Sequence, residues 1–381
     1  MILSPGATIG ILGAGQLGRM LAIAALKVGL RAHIFAPEPQ APAYDAAAER
    51  TIAAYDDEDA LARFAESVDV ATYEFENVPT ETVEFLARRI PVRPGARALA
   101  LTQDRLVEKA FLRDLGLPTA RFTGVEDAGG LARAVAELGR PSILKTRRFG
   151  YDGKGQSLIR EGSNVSAVHR ALGGAPMILE GFVAFEREVS VVAARSLEGQ
   201  IVAYDICENE HERHILARTQ APARIAAETG DEARRIAAQI LEALDYVGVL
   251  AVELFVTRDR LGCEGLIVNE VAPRVHNSGH WTLDGAQTSQ FEQHIRAIAG
   301  WPLGAPTRRG RIEMHNLIGE DAEDWRDILA QPNLCLHLYG KLEIRPDRKM
   351  GHVTRLFPEA PQRASGAEPS PPPRPGVDAS R

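Results

Sequence analysis

Two carboxylates stand inside otherwise apolar, β-rich runs in the second half of this chain. Glu253 lies in VLAVELFV and Glu270 in GLIVNEVAPRVHNSGHW, with Asn269 directly before Glu270. A buried carboxylate is costly unless it is paired or bound to a metal. Two of them on adjacent strands, with an amide beside them, offer the hard oxygen ligands that Mg²⁺ on a nucleotide requires. A salt-bridged edge-strand glutamate would explain either residue taken alone.

The stretch ILKTRRFGYDGKGQ carries a cation and a glycine-rich loop. Lys145 lies near the end of an apolar strand, where an ammonium group needs an anionic partner. The backbone N–H groups of the loop from Gly150 to Gln156 could surround phosphates. The pattern is not a Walker A motif, because no G-K-[ST] opens a helix. A hairpin with a surface lysine is the alternative, but Tyr151, Asp152 and Lys154 between the glycines favour phosphate binding.

Residues 9–20, IGILGAGQLGRM, are typical of a strand, a glycine turn and the start of a helix. Gly13, Gly15 and Gly18 fit G-x-G-x-x-G, in which the backbone can approach a ligand and the helix N-terminus attracts an anion. An NAD site needs an acid at the end of the second strand. Ala36 stands there instead, which disfavours an NAD-dependent oxidoreductase. The glycine turn therefore either binds another ligand or serves only the packing of the strand against the helix.

The elements that must position these groups divide the chain into regions. Strand and helix signals alternate over the first hundred residues and predict a parallel, doubly wound half-domain. ALTQDRLVEKAFLRDLG then predicts one helix. PSILKT with GQSLIR, and MILEGFV with REVSVVAAR, predict hairpin-like pairs, and VLAVELFVT and GLIVNEVA predict two further strands. The middle of the chain is therefore expected to be α+β, with a shorter β-rich segment from about residue 303.

Composition narrows the class of protein. A chain of 381 residues is expected to form two or three domains. The net charge of −7 argues against a nucleic-acid partner. Three scattered cysteines without a C-x-x-C pair, and no signal peptide or apolar run long enough for a membrane, favour a cytoplasmic protein. The tail after residue 358 is rich in Pro, Ala, Ser and Gly, and is expected to be disordered.

Several stretches together resemble the ATP-grasp superfamily, and within it the N5-carboxyaminoimidazole ribonucleotide synthetase (PurK) family: QDRLVEK, ILKTRRFGYDGKGQ, LEGFVAFEREVSV, NEHERHIL, VELFV and NEVAPRVHNSGHWT. The resemblance runs from GILGAGQLGRM to YGKLEIRPDRKMGHVT. It implies an α/β and α+β protein with an N-terminal doubly wound (pre-ATP-grasp) domain over 1–100. It further implies an ATP-grasp domain over 101–302, a C-terminal β-rich domain over 303–358 and a tail over 359–381.

The resemblance also implies which residues bind ATP between the two halves of the grasp domain. They are Arg105, Lys145, the loop Gly150, Tyr151, Asp152, Gly153, Lys154, Gly155 and Gln156, the hinge strand Glu180, Gly181, Phe182 and Val183, and then Glu188, His211, Asn269 and Glu270. Glu253 and Glu270 would hold Mg²⁺, which is the implied cofactor.

The implied reaction is the ATP- and bicarbonate-dependent carboxylation of 5-aminoimidazole ribonucleotide, which is a step in the biosynthesis of IMP. The resemblance also implies that the protein is a homodimer. The residues that would cradle the ribonucleotide and its phosphate are Gly15, Gln16, Leu17, Glu76, Lys341 and Arg348. Arg274 and His276 resemble the bicarbonate-side residues of the family, and Tyr151 or Asp152 would meet the substrate amine. Carboxyphosphate, or CO₂ released from it, would be captured by that amine.

Other activities stay open on the sequence. Formate-dependent glycinamide ribonucleotide transformylase is the nearest alternative, although Gln16 matches the carboxylating family. The chain is short for a biotin carboxylase, and a non-catalytic nucleotide-binding protein is disfavoured because the metal-ligand candidates and the lysine are all present. Three positions differ from the family pattern: His214 replaces a usual glycine, Val275 a proline and Ala36 a frequent acid.

Overall fold

The computed structural model describes residues 1–150, 153–174 and 176–357, so the predicted tail over 359–381 lies outside the described residues. The strands are β1 (Thr8–Leu12), β2 (Arg31–Ala36), β3 (Glu49–Ile52), β4 (Val70–Tyr73), β5 (Phe122–Val125), β6 (Ser142–Thr146), β7 (Gln156–Ile159), β8 (Met177–Gly181), β9 (Arg187–Arg195), β10 (Ile201–Ala203), β11 (Cys207–Glu212), β12 (Ile215–Ala221), β13 (Gly248–Arg258), β14 (Glu264–Ala272), β15 (Arg311–Ile318), β16 (Leu334–Leu338) and β17 (Lys349–Phe357). The helices are α1 (Gln16–Lys27), α2 (Glu58–Ser67), α3 (Thr80–Ala87), α4 (Ala96–Thr102), α5 (Arg105–Asp114), α6 (Ala128–Leu138), α7 (Val165–Ala171), α8 (Ala227–Ala243), α9 (Thr282–Gly285), α10 (Gln290–Ala299) and α11 (Trp325–Leu329). None of these helices is long and apolar enough to cross a membrane.

The first sheet is parallel and confirms the doubly wound prediction. Its order is β3-β2-β1-β4, with β1 paired to both β2 and β4. The β1 side chains Ile9 and Ile11 are fully buried, because the apolar strand lies in the middle of the sheet between its helices. The carboxyl ends of β1 and β4 consequently meet at one edge, which is where ligands bind in open α/β sheets.

A small antiparallel sheet of order β5-β8-β6-β7 carries the predicted phosphate loop. PSILKT and GQSLIR do form a hairpin, since β6 pairs with β7. The predicted pairing of MILEGFV with REVSVVAAR is wrong. β8 lies between β5 and β6, whereas β9 belongs to another sheet. Both strands are apolar enough to be buried in the middle of a sheet. β8 pairs with β5 and β6, and β9 pairs with β11, β13 and the short β10 that follows it.

The large sheet is antiparallel, with the order β14-β13-β9-β11-β12-β15-β17-β16 and β10 beside β9. It confirms the pairing of VLAVELFVT with GLIVNEVA and the α+β character of the middle region. The segment after residue 303 contributes β15, β16 and β17 to this same sheet, because β12 pairs with β15.

The single helix predicted from ALTQDRLVEKAFLRDLG is wrong, because the chain forms α4 and α5 there. Asp104 separates the two helices: its Oδ1 accepts hydrogen bonds from the N–H groups of Leu106 (3.0 Å) and Val107 (3.4 Å) at the start of α5. It also accepts from Arg147 Nε at 3.0 Å. An aspartate that caps a helix favours a new N-terminus over continuation of the preceding helix.

Helix α10 packs between the first sheet and the large sheet. Its His294 is fully buried; Nε2 lies 2.9 Å from the Thr72 hydroxyl on β4, and Nδ1 accepts from the Val249 N–H on β13 at 3.1 Å. Arg93 Nη1 donates to the Ile298 carbonyl at 2.6 Å. One apolar cluster contains residues of β1, β9, β13 and α10. The two sheets therefore share a core.

Candidate active site

Lys145 and Glu180 form an ion pair within the small sheet. β6 and β8 are neighbours, and Lys145 Nζ donates to Glu180 Oε2 at 3.0 Å. Glu180 is 4% exposed. Burial alone would raise the pKa of Glu180, but the ammonium groups of Lys109 and Lys145 overcome that effect and lower it. The anionic partner expected for Lys145 is therefore a residue that the resemblance assigned to the adenine edge.

Glu253 on β13 and Glu270 on β14 lie directly opposite each other in the antiparallel pair. The next pair joins Leu254 to Val268, so Asn269 is the extra residue of a β-bulge. A bulge re-aims the side chains beside it. Asn269 and Glu270 are both half-buried, whereas Val268 before them is buried. Burial and the charge of Glu270 raise the pKa of Glu253, so a cation between the two carboxylates would be favoured.

Glu108 and Lys109 on α5 hold this bulge from behind. Lys109 is 2% exposed, and its Nζ donates to the carbonyl oxygens of Val268 (3.2 Å) and Asn269 (2.6 Å). Glu108 Oε1 accepts from the Val271 N–H at 2.5 Å. These side chains satisfy backbone groups that a bulge leaves out of the ladder. Sequence reasoning misses this role; the available signal is an adjacent Glu–Lys pair on the buried face of an amphipathic helix.

Arg105 connects the carboxylate pair to the glycine-rich loop. Its Nη2 lies 3.8 Å from Glu270 Oε2 and donates to the Gly150 carbonyl at 3.0 Å. Within the described residues, no cluster of three or more His, Cys, Asp or Glu side chains could hold a metal ion. The carboxylates of Glu253 and Glu270 offer hard oxygen atoms, which is the type of ligand that Mg²⁺ prefers.

The described part of the glycine-rich loop folds back on β6. Gly155 accepts a hydrogen bond from the β6 backbone at 2.7 Å, and Gln156 begins β7 opposite Lys145. Gly153 and Lys154 form the turn that precedes them. Two further residues predicted for this loop lie outside the described residues: Tyr151 and Asp152.

The turn from β11 to β12 explains one departure from the family pattern. Arg213 (φ +50°) and His214 (φ +67°) connect the paired residues Glu212 and Ile215. Two central residues with positive φ define a type I′ turn, in which Asn-Gly is preferred. His214 therefore stands in the left-handed region that favours glycine, at the position where the resemblance implies a glycine. It also contacts the phosphate loop, because a Cβ added to Gly153 would lie 2.3 Å from the His214 Cβ.

The residues assigned to the ribose and the nucleotide region lie side by side on neighbouring strands. His211 Nδ1 on β11 is 3.0 Å from Glu188 Oε2 on β9. Burial alone would lower the pKa of His211, but Glu188 raises it overall. Of the residues predicted to form the hinge, Gly181 ends β8, and Phe182 and Val183 follow it in the connection to β9.

Arg274 and Glu76 form a short ion pair that joins the region after β14 to the region after β4. Arg274 Nε donates to Glu76 Oε2. Burial alone would lower the pKa of Arg274, but Glu76 raises it; in the same way, Arg274 lowers the pKa of Glu76 against the effect of burial. Sequence reasoning assigns these residues to bicarbonate and to the ribonucleotide, respectively. The structure brings them into direct contact.

His276 lines the same side of the site as the carboxylate pair. Its Nε2 lies 3.4 Å from Glu253 Oε1, and its Nδ1 lies 2.9 Å from the Ser278 hydroxyl. Burial and the nearby Arg274 guanidinium hold the pKa of His276 well below its usual value.

The glycine turn before α1 is filled by a side chain of the protein itself. Glu74, which directly follows β4, accepts hydrogen bonds from the N–H groups of Gly15 (2.5 Å) and Gly18 (2.8 Å). A Cβ added to Gly15 would lie 2.6 Å from Glu74 Oε1, and one added to Gly13 would lie 2.4 Å from Glu74 Cγ. Burial raises the pKa of Glu74 despite the two amides. The anion position at this helix N-terminus is thus occupied by Glu74, which, like Ala36, disfavours an NAD site.

Sequence reasoning misses Glu74 and chooses Glu76 instead. The available signal is an acid directly after the strand that neighbours β1, because the carboxyl ends of adjacent parallel strands meet at one edge. Of the turn residues predicted to bind a substrate, Gln16 begins α1 and is half-buried, whereas Leu17 is 8% exposed. Leu17 can therefore offer a ligand little beyond its backbone.

Lys341 and Arg348 belong to the loop between β16 and β17. Lys341 Nζ donates to the Lys349 carbonyl at 2.6 Å, and Arg348 Nη1 donates to a carbonyl of the same loop at 2.9 Å. A Cβ added to Gly340 would lie 3.5 Å from Arg19 Nη1 on α1. The loop therefore reaches the helix that follows the glycine turn, and Arg19 is a further cation there that sequence reasoning misses.

One cleft collects part of the predicted site. Its lining consists of Glu76, Asn77, Thr102, Gln103, Arg105, Glu108, Phe149, Gly150, Glu270, Val271, Ala272 and Arg274. Predicted nucleotide, metal and substrate residues thus share this cleft. Lys341 and Arg348 are not among its lining residues.

Three family profiles match the chain in the order in which these features occur. Residues 6–103 match the ribonucleotide synthetase preATP-grasp domain, residues 110–291 the ATP-grasp domain, and residues 313–365 the phosphoribosylaminoimidazole carboxylase C-terminal domain. The fold and the cleft thus define an ATP-grasp protein with a pre-ATP-grasp domain.

Individual relatives narrow the class further. The chain is 50% identical to the N5-carboxyaminoimidazole ribonucleotide synthase of Brucella melitensis, over 93% of this chain and 98% of the relative. It is similar to a crystal structure of an N5-carboxyaminoimidazole ribonucleotide synthetase with ADP, at a TM-score of 0.89 and 42% identity over 93% of this chain and 94% of that one. An Aspergillus clavatus enzyme, solved with ADP and 5-aminoimidazole ribonucleotide, gives a TM-score of 0.86 at 29% identity, over 93% of this chain and 94% of that one. The chain belongs to the N5-carboxyaminoimidazole ribonucleotide synthase family.

Proposed function

We propose that this protein uses ATP and bicarbonate to convert 5-aminoimidazole ribonucleotide into N5-carboxyaminoimidazole ribonucleotide, with release of ADP and phosphate, in the biosynthesis of IMP. The observation that carries this proposal is the contact between Arg274 and Glu76. It joins the nucleotide-binding half of the cleft to the edge of the first sheet, where a second substrate would bind. Two substrates would thus meet at one place.

On the nucleotide side, Lys145 and Arg105 would contact the phosphates, and the loop Gly150–Gln156 would close over them. The hinge residues Glu180–Val183 would meet the adenine edge and Glu188 the ribose. The observed Lys145–Glu180 ion pair would hold the lysine side chain in position before ATP binds. The Glu188–His211 pair would in the same way hold Glu188, the residue proposed to contact the ribose, in position.

Glu253 and Glu270, with Asn269 beside them, would hold Mg²⁺. The ion would polarise the γ-phosphoryl group and offset its developing charge. The residues of this chain supply the geometry: Glu270 lines the cleft next to the bulge at Asn269, and Arg105 bridges Glu270 to the loop.

Bicarbonate would attack the γ-phosphorus of ATP, which gives carboxyphosphate and ADP. The exocyclic amine of the ribonucleotide then captures the carboxyphosphate carbonyl carbon, or CO₂ released from it, with loss of phosphate and a proton. Arg274 and His276 would bind bicarbonate, and Tyr151 or Asp152 would meet the amine, Asp152 as its proton acceptor. A guanidinium suits a small planar oxyanion, because its N–H groups form a rigid fork.

The ribonucleotide would bind at the glycine turn through Gly15, Gln16, Leu17 and Glu76, with its phosphate on Lys341 and Arg348. Because Glu74 fills the helix N-terminus, that phosphate must find cations elsewhere. The loop between β16 and β17 contacts α1, so its residues Lys341 and Arg348 could supply these positive charges.

We further propose domain boundaries at residues 100, 302 and 358, a homodimer and a cytoplasmic location. The three family profiles end and begin near the first two boundaries, and all three cysteines are free thiols, as in a reducing compartment. The dimer follows only from the family resemblance, and light scattering of the purified protein tests it.

The decisive experiment measures ADP release from Mg-ATP with and without 5-aminoimidazole ribonucleotide, in bicarbonate-depleted and bicarbonate-supplemented buffer. We expect turnover to rise with the ribonucleotide and carboxylated product to require bicarbonate. Turnover that ignores this ribonucleotide but responds to glycinamide ribonucleotide and formate would contradict the proposal and favour the transformylase activity.

A further inference from the structure

Phe149 is an aromatic residue whose backbone and side chain are both in unfavourable settings. Its φ of +62° lies in the left-handed region, which a residue with a Cβ disfavours. The residue is 70% exposed, although burial of a phenyl ring would stabilise the fold. Residues that keep such backbone strain cluster at active sites and ligand-binding segments. The roles assigned above to the residues of the cleft do not include one for Phe149.

The start of α5 holds the chain on both sides of Phe149. Before it, the Arg147 carbonyl accepts from the Arg105 N–H at 2.9 Å, and the Arg147 guanidinium pairs with Asp104 at 2.7 Å. After it, the Gly150 carbonyl accepts from Arg105 Nη2 at 3.0 Å. Strain persists where the surrounding structure fixes the chain in this way. The backbone that carries the phenyl ring is therefore anchored beside the cleft.

The phenyl ring stands between two adjoining cavities. Phe149 lines the cleft of the candidate active site together with Glu76 and Arg274. It also lines a second cavity, which shares Asn77 and Gln103 with that cleft. Glu76 and Asn77 come shortly after β4, at the edge of the first sheet where the second substrate is proposed to bind. The ring of Phe149 therefore borders the part of the cleft that belongs to the second substrate.

The chemistry of a phenyl ring limits what Phe149 can bind. The face of the ring is weakly negative, so it does not attract the oxygen atoms of bicarbonate or of phosphates, but it stacks well on flat rings. The proposed function brings two flat heteroaromatic rings to the protein, adenine and 5-aminoimidazole. The hinge residues Glu180–Val183, to which adenine is assigned, line neither of the two cavities. The aminoimidazole is therefore the ring that Phe149 can meet.

We propose that Phe149 is a specificity-determining residue that stacks on the planar heteroaromatic ring of the second substrate. This inference rests on the proposed function, under which that ring is 5-aminoimidazole. Stacking favours a ribonucleotide with a ring over an acyclic one such as glycinamide ribonucleotide, because the acyclic group has no aromatic face. The exposure of Phe149 in the free protein then has a reason, since the bound substrate covers the ring.

Calorimetric titration of the full-length protein tests the stacking without turnover. It measures the Kd for 5-aminoimidazole ribonucleotide and, separately, the Kd for ADP. Phe149→Ala should raise the Kd for the ribonucleotide by about ten-fold, which is the usual effect of losing one stacked aromatic side chain, and leave the Kd for ADP unchanged. Alanine keeps a Cβ, so the variant removes the ring but not the backbone strain. Phe149→Tyr should restore binding, whereas Phe149→Leu, which is apolar but not aromatic, should not.

Trp325→Ala is the matched control, because it removes an exposed aromatic ring that lines neither cavity, and it should change neither Kd. An unchanged Kd for the ribonucleotide in Phe149→Ala, or an equal loss of affinity for ADP, would overturn the proposal. Full recovery in Phe149→Leu would also overturn it, because an apolar cover would then suffice. If the wild type does not bind the ribonucleotide at all, the proposed function fails and this inference fails with it. Wild-type binding that Phe149→Ala leaves unaltered removes this inference alone.

Discussion

His214 holds a backbone conformation that its side chain disfavours. The left-handed region costs a residue with a Cβ about 1 kcal/mol relative to glycine, and His214 lies there at φ +67°. The same side chain packs on Gly153 of the phosphate loop. The backbone strain and the contact with the glycine-rich loop thus both belong to His214.

Replacing His214 by glycine should therefore raise stability. We expect His214→Gly to gain about 1 kcal/mol, offset in part by the flexibility of glycine in the unfolded chain. Thermal unfolding measures the gain, with His214→Ala as the control, because alanine removes the ring but keeps the strain. Equal melting temperatures for the two variants would show that strain is not what the glycine relieves.

Glu270 should matter for turnover far more than for folding. Glu270→Gln keeps the shape of the side chain but removes the charge that faces Glu253 and Arg105, so we expect ATP turnover to fall by about 100-fold or more. Circular dichroism should show an unchanged fold. Glu313→Gln, on a strand of the same sheet where Glu313 pairs with Arg311 and Arg218, is the control. Normal turnover in Glu270→Gln would remove the metal assignment.

Among the elements, α5 supports the β-bulge of β14 from outside its strand pair. Lys109 satisfies two carbonyl oxygens of the bulge and lies 3.9 Å from Glu180. Helix α5 therefore links the bulge beside Glu270, a proposed metal ligand, to the Lys145–Glu180 pair on the small sheet. A change in α5 would move both sides together.

Lys109→Met keeps the chain length and removes the ammonium group. We expect a loss of about 3–5 kcal/mol in the free energy of unfolding, because a buried carboxylate and two carbonyl oxygens lose their cation. The apparent KM for ATP should rise as well. Lys27→Met is the control, since Lys27 is 69% exposed in its pair with Glu292 and such surface pairs contribute about 0–1 kcal/mol. Similar melting temperatures for the two variants would contradict the role of Lys109.

Elements whose pattern is local could be predicted from the sequence, whereas those decided by distant partners could not. The parallel first sheet and the hairpin of β6 with β7 follow from apolar runs and turns. The break between α4 and α5 was missed, although Asp104 directly before Arg105 is a local N-cap signal; the Arg147 side chain that also contacts Asp104 comes from a distant part of the sequence. The Arg274–Glu76 contact joins residues 198 positions apart, and no spacing rule reports such a pair. Residue types at the site could be predicted, but their mutual contacts could not.

At the scale of the whole molecule, α10 fastens the first sheet to the large sheet. His294 uses both ring nitrogens for this purpose, one towards Thr72 and one towards Val249. Burial lowers the pKa of His294 to about 3. The junction between the two sheets therefore contains a group that must stay neutral for the fold to persist.

This arrangement predicts acid lability. Between about pH 6.5 and pH 3 the unfolded chain binds a proton at His294 and the folded chain does not, so stability falls by about 1.4 kcal/mol per unit as the pH decreases. Other buried histidines add to the trend. We expect the melting temperature of the wild type to drop more between about pH 7.5 and pH 5.5 than that of His294→Gln. Parallel decreases would show that His294 does not carry the effect.

The carboxylate of Glu74 at the N-terminus of α1 acts as a tethered competitor. A ligand that is part of the chain has an effective concentration set by the fold, and a dissolved phosphate at ordinary cellular levels would have to displace it. The turn is thus self-inhibited towards anions whatever its glycine pattern suggests. In other chains, an acid directly after the strand beside such a turn should mark the turns that have lost, or never had, a dinucleotide.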